Sequence, residues 1–80
     1  AELNHMRKLV QQRIQALDPR LSIHDFRMVR GASHTNLIFD VVTPFGFRLE
    51  DAEVARQLRA LIRTFDSHYV PVIQVEHSYI

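Results

Sequence analysis

The chain has 80 residues and a mass of 9.4 kDa, which allows one domain and one core; a chain this short buries only about 60% of the surface that it exposes when unfolded. Ten Lys+Arg stand against nine Asp+Glu, a formal net charge of +1, which argues against a nucleic-acid binder or a polybasic membrane-surface domain held by bulk charge. Cysteine is absent, so disulfides, thiolate zinc sites and a Cys nucleophile are excluded; no apolar run approaches the roughly 18–20 residues of a membrane span, and no signal-peptide pattern opens the chain.

Residues 2–17 are predicted to form a helix, because Leu3, Met6, Val10, Ile14 and Leu17 recur at three- and four-residue steps. It should end before Pro19, which disfavours helical geometry at Asp18. Residues 21–30 form a first strand, with Phe26 and Met28 on one face, His24 in line with them, and Asp25, Arg27 and Val29 on the other. Residues 35–43 form a second, with Leu37, Phe39 and Val41 alternating with Ile38, Asp40 and Val42. Residues 49–65 form a second helix on the stripe Val54, Leu58, Leu61, Ile62 and Phe65, with Glu50, Asp51 and Glu53 crowding the first turn, where the helix dipole favours negative charge. No Ser or Thr cap marks its start. Residues 70–79 form a third strand, with Ile73, Val75 and His77 on one face and Val72, Gln74 and Glu76 on the other; Pro71, lacking an N–H, suits a strand start or an edge.

The order αββαβ is that of an α+β, two-layer sandwich: a three-stranded mixed sheet with two helices on one face. The first two strands make an antiparallel hairpin, and the third crosses over through the second helix to pair parallel to one of them. The other sheet face is left open, carrying Ile38, Val42 and Val72 beside Asp25, Arg27, Asp40, Gln74 and Glu76. So mixed a face on so small a domain points to a partner, most simply a second copy.

Five histidines occur, His5, His24, His34, His68 and His77, and histidine is the commonest metal ligand. No local ligand spacing joins them, so any metal site must be assembled from distant segments. His24 reads as a strand-end residue bonded to backbone or as a ligand held by a carboxylate. Asp40, mid-strand where Asp is depleted, reads as an ion-pair partner of Arg27 or as a ligand. Glu76 and His77 are adjacent and point to opposite faces. His34 fits turn chemistry, His68 an exposed loop, and His5 a solvated helix end. A catalytic role has no support: there is no nucleophile elbow, no Gly-rich phosphate loop, and no aromatic platform for single-stranded RNA.

The stretch Ile23-His24-Asp25-Phe26-Arg27-Met28-Val29-Arg30-Gly31, then Leu37-Ile38-Phe39-Asp40-Val41-Val42-Thr43-Pro44, the acidic-starting segment from Leu49 to Phe65, and Val72-Ile73-Gln74-Val75-Glu76 together resemble the cytosolic C-terminal domain of cation diffusion facilitator transporters. The resemblance spans almost the whole chain, and its most specific piece is the tetrapeptide from His24 to Arg27. It implies a ferredoxin-like, metallochaperone-like domain over residues 1–80, non-catalytic, at the cytoplasmic face of the membrane. That domain is joined in one polypeptide to a membrane transport domain, forms a homodimer, and has neither nucleic acid nor a small-molecule substrate as partner. It also implies a metal site at the dimer interface. His24 matches a ligand of the first strand. Asp40 and Gln74 fall where the family commonly has histidines, Glu76 where it has an aspartate, and Lys8 or Leu9 at the helical ligand position, with His5 one turn earlier as a substitute. With His77 beside Glu76, the candidate metal residues are His24, Asp40, Glu76, His77 and His5. Such an oxygen-enriched set suits zinc less than the family's usual one and turns toward harder ions such as manganese, with iron and cobalt between. The alternatives are a free-standing metal carrier, which the missing Cys pair disfavours, and a small-molecule-sensing regulatory module, which the missing Gly-containing ligand loop disfavours.

Overall fold

The computed structural model describes residues 2–78, which form α1 (Glu2–Leu17), β1 (Ser22–Arg30), β2 (Thr35–Pro44), α2 (Asp51–Arg63) and β3 (Tyr69–Ser78). The helical repeat of α1 buries Met6, Val10 and Ile14, spaced four apart on one face. The helix ends as its sequence requires. The Asp18 N–H closes a last bond to the Ile14 carbonyl at 3.2 Å, and Pro19 follows. The turn is then held by a side chain that the sequence reading passed over. The Asp18 carboxylate accepts the Arg20 backbone N–H at 2.9 Å and, through both oxygens, the Arg20 guanidinium at 3.1 and 2.9 Å.

Those side-chain and backbone hydrogen bonds from Arg20 lower the Asp18 pKa to about 2. A folded-state value below the unfolded one means that the unfolded chain binds the extra proton first. The stability from this turn is therefore complete above about pH 4 and is lost as the pH falls toward 2. Asp18→Asn should therefore be less stable than the parent near neutrality, and the gap should close below about pH 3. Urea titrations across that range check it; a gap independent of pH would show that the carboxylate charge is not what holds the turn.

The sheet runs β1-β2-β3, with β1 antiparallel and β3 parallel to the central β2. Along β2 the burial alternates without a break. Thr35, Leu37, Phe39, Val41 and Thr43 are buried and the intervening residues half-buried, so one face lies under the helices and the other is open. Phe39 stacks on Phe26 with ring centroids 5.8 Å apart. Around them Leu37 and Val41 from β2, Val10 and Ile14 from α1, and Leu58 and Ile62 from α2 close a single core. Helix α2 has no side-chain cap: Glu50 occupies the cap position in extended geometry without a side-chain bond. Acidic residues of its first turn serve instead, and Glu53, bonded to Arg56 and then Gln57, has its pKa lowered to about 2. The β2–α2 connection turns at Gly46, whose φ of +72° is a left-handed geometry that glycine adopts without strain.

One expectation about β1 fails. Its pairing with β2 is irregular between His24 and Arg27: His24 faces Asp40 and Arg27 faces Ile38, so Asp25 and Phe26 together oppose Phe39. This is a β-bulge, and Asp25 takes the left-handed backbone, φ 55°, that an aspartate tolerates better than most residues. The extra residue shifts the alternation. Phe26 stays buried, whereas His24 pairs with Asp40 and lies on the open face, not in line with Phe26 and Met28.

Candidate functional site

The pairing arranges the open face as transverse rows of three. Ser22, Val42 and Glu76 form one row; His24, Asp40 and Gln74 the next; Arg27, Ile38 and Val72 the third; Val29, Asn36 and Val70 the fourth. The first two rows are mainly polar, the last two mainly apolar. At their boundary the bulge opens a shallow hollow lined by Asp25, Phe26, Arg27, Ile38, Asp40 and Gln74. The His24 ring lies with Nε2 3.4 Å from the Ser22 hydroxyl.

Three of the five candidate metal residues thus share the open face: His24 and Asp40 in one row, Glu76 one row away beside Val42. The other two are elsewhere. His5 is exposed on α1, in the helical layer across the sheet. His77 follows the regular alternation of β3 and turns to the helix side. There its Nδ1 lies 3.2 Å from the Thr43 hydroxyl and its Nε2 2.9 Å from the Asp51 carboxylate at the start of α2. Thr43 is 1% exposed, so this ring is anchored from inside the protein. The ion pair expected between Asp40 and Arg27 does not form: both lie on the open face, but Arg27 pairs opposite Ile38, one row from Asp40. Among the described residues, Asp40, Arg27, Gln74 and Glu76 make no side-chain hydrogen bond or ion pair. Of the remaining histidines, His34 bonds Ser33 at 3.2 Å in the hairpin loop, and His68 ties the start of β3 to Thr35 at 2.8 Å. Asp25, which alternation already placed on the open face beside Arg27, Asp40 and Gln74, lines the hollow with them, although it was not counted among the candidate metal residues.

The donors in the central row are one imidazole, one carboxylate and one amide. No three His, Cys, Asp or Glu side chains among the described residues converge on one point. A tetrahedral zinc site needs four donors, and an oxygen-ligated ion more. The described residues of one copy do not by themselves supply a complete metal site.

The fold can be compared with known proteins on this basis. No family model and no curated protein sequence matches the chain. Two solved structures share its architecture, both described as the zinc transporter CzrB and one of them as its zinc form. Each superimposes with a TM-score of 0.78 at 23% sequence identity over 96% of this chain, covering 93% and 85% of the respective CzrB chains. The chain therefore has the two-layer αββαβ fold of those CzrB chains, the fold implied by its resemblance to cation diffusion facilitators. None of its described helices is long and apolar enough to cross a membrane.

Proposed function

We propose that this chain is the cytosolic dimerisation and metal-sensing domain of a divalent-cation efflux transporter. The observation that carries the reading is the open sheet face. The bulge leaves His24 beside Asp40 and Gln74, next to Arg27 and Glu76, which have no side-chain partner among the described residues, and next to exposed apolar side chains. The likeness to CzrB, described as a zinc transporter and also solved in a zinc form, supports metal as the signal. Since one copy offers too few donors, the ion binds where a second copy completes the set, and metal and dimer are thermodynamically linked. The oxygen-enriched donors favour a harder ion than zinc alone would demand. The domain performs no catalysis; its task is to hold two transporter copies together and report metal to them.

Isothermal titration with zinc and with manganese, alongside mass by light scattering in the same buffers, tests this. Micromolar binding that tightens the dimer is expected, and His24→Ala should weaken metal affinity by about tenfold or more, the range for losing one ligand or its support. A dimer indifferent to both metals would leave the coupling role and remove the sensing one. A strict monomer at high concentration, with and without metal, would overturn the reading.

A further inference from the structure

Arg27 is the one arginine or lysine in the rows of the open face, and among the described residues it has no carboxylate partner. Asp40, one row away, presents the opposite case. It is half-buried midway along the central strand, with Ile38 and Val42 on either side of it on the same face. Its cross-strand neighbours are His24 and Gln74, so no fixed positive charge stands beside it. Both Arg27 and Asp40 line the hollow at the bulge. The other two carboxylates of the face, Asp25 and Glu76, are fully exposed. A half-buried carboxylate between aliphatic side chains needs a cation once water is excluded. The dimer proposed above would exclude it. Matching apolar rows to apolar rows sets the two-fold axis along the strands, because an axis across them would reverse the order of the rows. Each row then meets its own counterpart, and the central strand brings the two Asp40 carboxylates together.

We propose that Arg27 is the resident cation of this site: in the metal-free dimer the guanidinium of each copy pairs with the Asp40 carboxylate of the other, and a divalent ion binds there by displacing both guanidinium groups. The inference rests on the dimer and metal reading above and adds its regulation. Side chains stand roughly perpendicular to a sheet, which directs Arg27 at a facing sheet about 10 Å away. One row is two residues, about 7 Å along a strand, a span that an extended arginine side chain covers. A guanidinium also matches a carboxylate through two parallel hydrogen bonds. The charges balance in both states: two guanidinium groups, or one divalent ion, neutralise two carboxylates. Arg27 thereby sets the metal concentration at which the domain responds.

Sedimentation equilibrium in EDTA tests the pairing without metal. R27Q should raise the dimer Kd about thirtyfold or more, the lower end of the cost of truncating one partner of a buried charge pair. R27E and D40K should each be monomeric, because each sets like charges against one another across the axis. Mixed in equal amounts they should form a heterodimer, since every pair then joins one negative and one positive side chain; pairing within each copy gives no such recovery. Titration with zinc, at a chain concentration where both are dimers, should show R27Q binding at least about fivefold more tightly than the parent. A dimer that R27Q leaves unchanged, a mixture that stays monomeric, or a zinc affinity no higher in R27Q would overturn the inference and leave the reading above standing. So would a parent that is dimeric only with metal. A dimeric parent that binds neither zinc nor manganese removes the displacement and the sensing role together, and a parent monomeric with and without metal removes the whole reading. Arg27 is exposed, so circular dichroism of R27Q should match the parent, and this variant decides the matter alone if D40K fails to fold.

Discussion

Phe39→Ala is expected to cost about 3–5 kcal/mol of folding stability, the usual range for deleting a buried phenyl ring. Phe39 is 1% exposed, sits at the middle of the central strand, and stacks on Phe26. It is also the one residue opposed by both residues of the bulge. Its ring therefore packs under the irregular stretch of β1, against Phe26. A domain of this length has about 4–12 kcal/mol in all, so the variant should be near or past its unfolding threshold at 37 °C. Urea denaturation should show a large fall in midpoint with little change in slope. As a control, Val70→Ala removes a side chain that is 37% exposed on the open face and should change stability by about 0.5 kcal/mol or less. A loss below about 1 kcal/mol for Phe39→Ala would mean that the core closes without this ring.

Much of the fold was legible because one strand is nearly ideal. From Thr35 to Pro44 the alternation of buried and half-buried residues has period two throughout, and a central strand so patterned fixes which face its neighbours must cover. The helices were legible for a similar reason: Met6, Val10 and Ile14, then Val54, Leu58 and Ile62, each mark one stripe. Pro71 aligned with the start of an edge strand as its missing N–H suggests. Element ends were less legible. Helix α2 starts at Asp51 and not near 49, because without a Ser or Thr cap nothing local specifies the first turn.

The site was legible in its residues but not in its geometry. His24, Asp40 and Glu76 could be singled out by type and strand position, yet strict alternation put His24 on the core face. A bulge has no periodic signature, and Asp25 adopts its positive φ through local backbone geometry that a pattern of apolar and polar residues does not encode. The Arg27–Asp40 ion pair is absent although both residues lie on the open face, because Arg27 pairs opposite Ile38 and Asp40 opposite His24, one row apart. His77 was placed correctly by alternation, but its ties to Thr43 and Asp51 join elements far apart in sequence.

The second large effect concerns the open face. Val72→Asp is expected to abolish dimerisation while leaving the fold intact. Val72 is 47% exposed and pairs in register with Ile38, next to Val29, 50% exposed, and Val70, so the apolar rows form one continuous patch. Arg27 at its margin and Asp40 in the adjoining row have no partner within the described chain. In the proposed dimer, apolar rows would meet apolar rows across a two-fold axis, and Arg27 of one copy would meet an acidic residue of the other. Burying the exposed half of Val72 contributes about 0.8 kcal/mol, the two-fold counts each substitution twice, and desolvating the two introduced carboxylates adds more, so the loss reaches about 3 kcal/mol or more. That corresponds to a rise of about a hundredfold in dimer Kd. Sedimentation equilibrium over a concentration series reads it directly, and thermal melts of Val72→Asp should stay close to the parent at concentrations where both are monomeric. A dimer unchanged by Val72→Asp would place the second copy elsewhere, and His24 and Asp40 would then face solvent with nothing to complete a metal site.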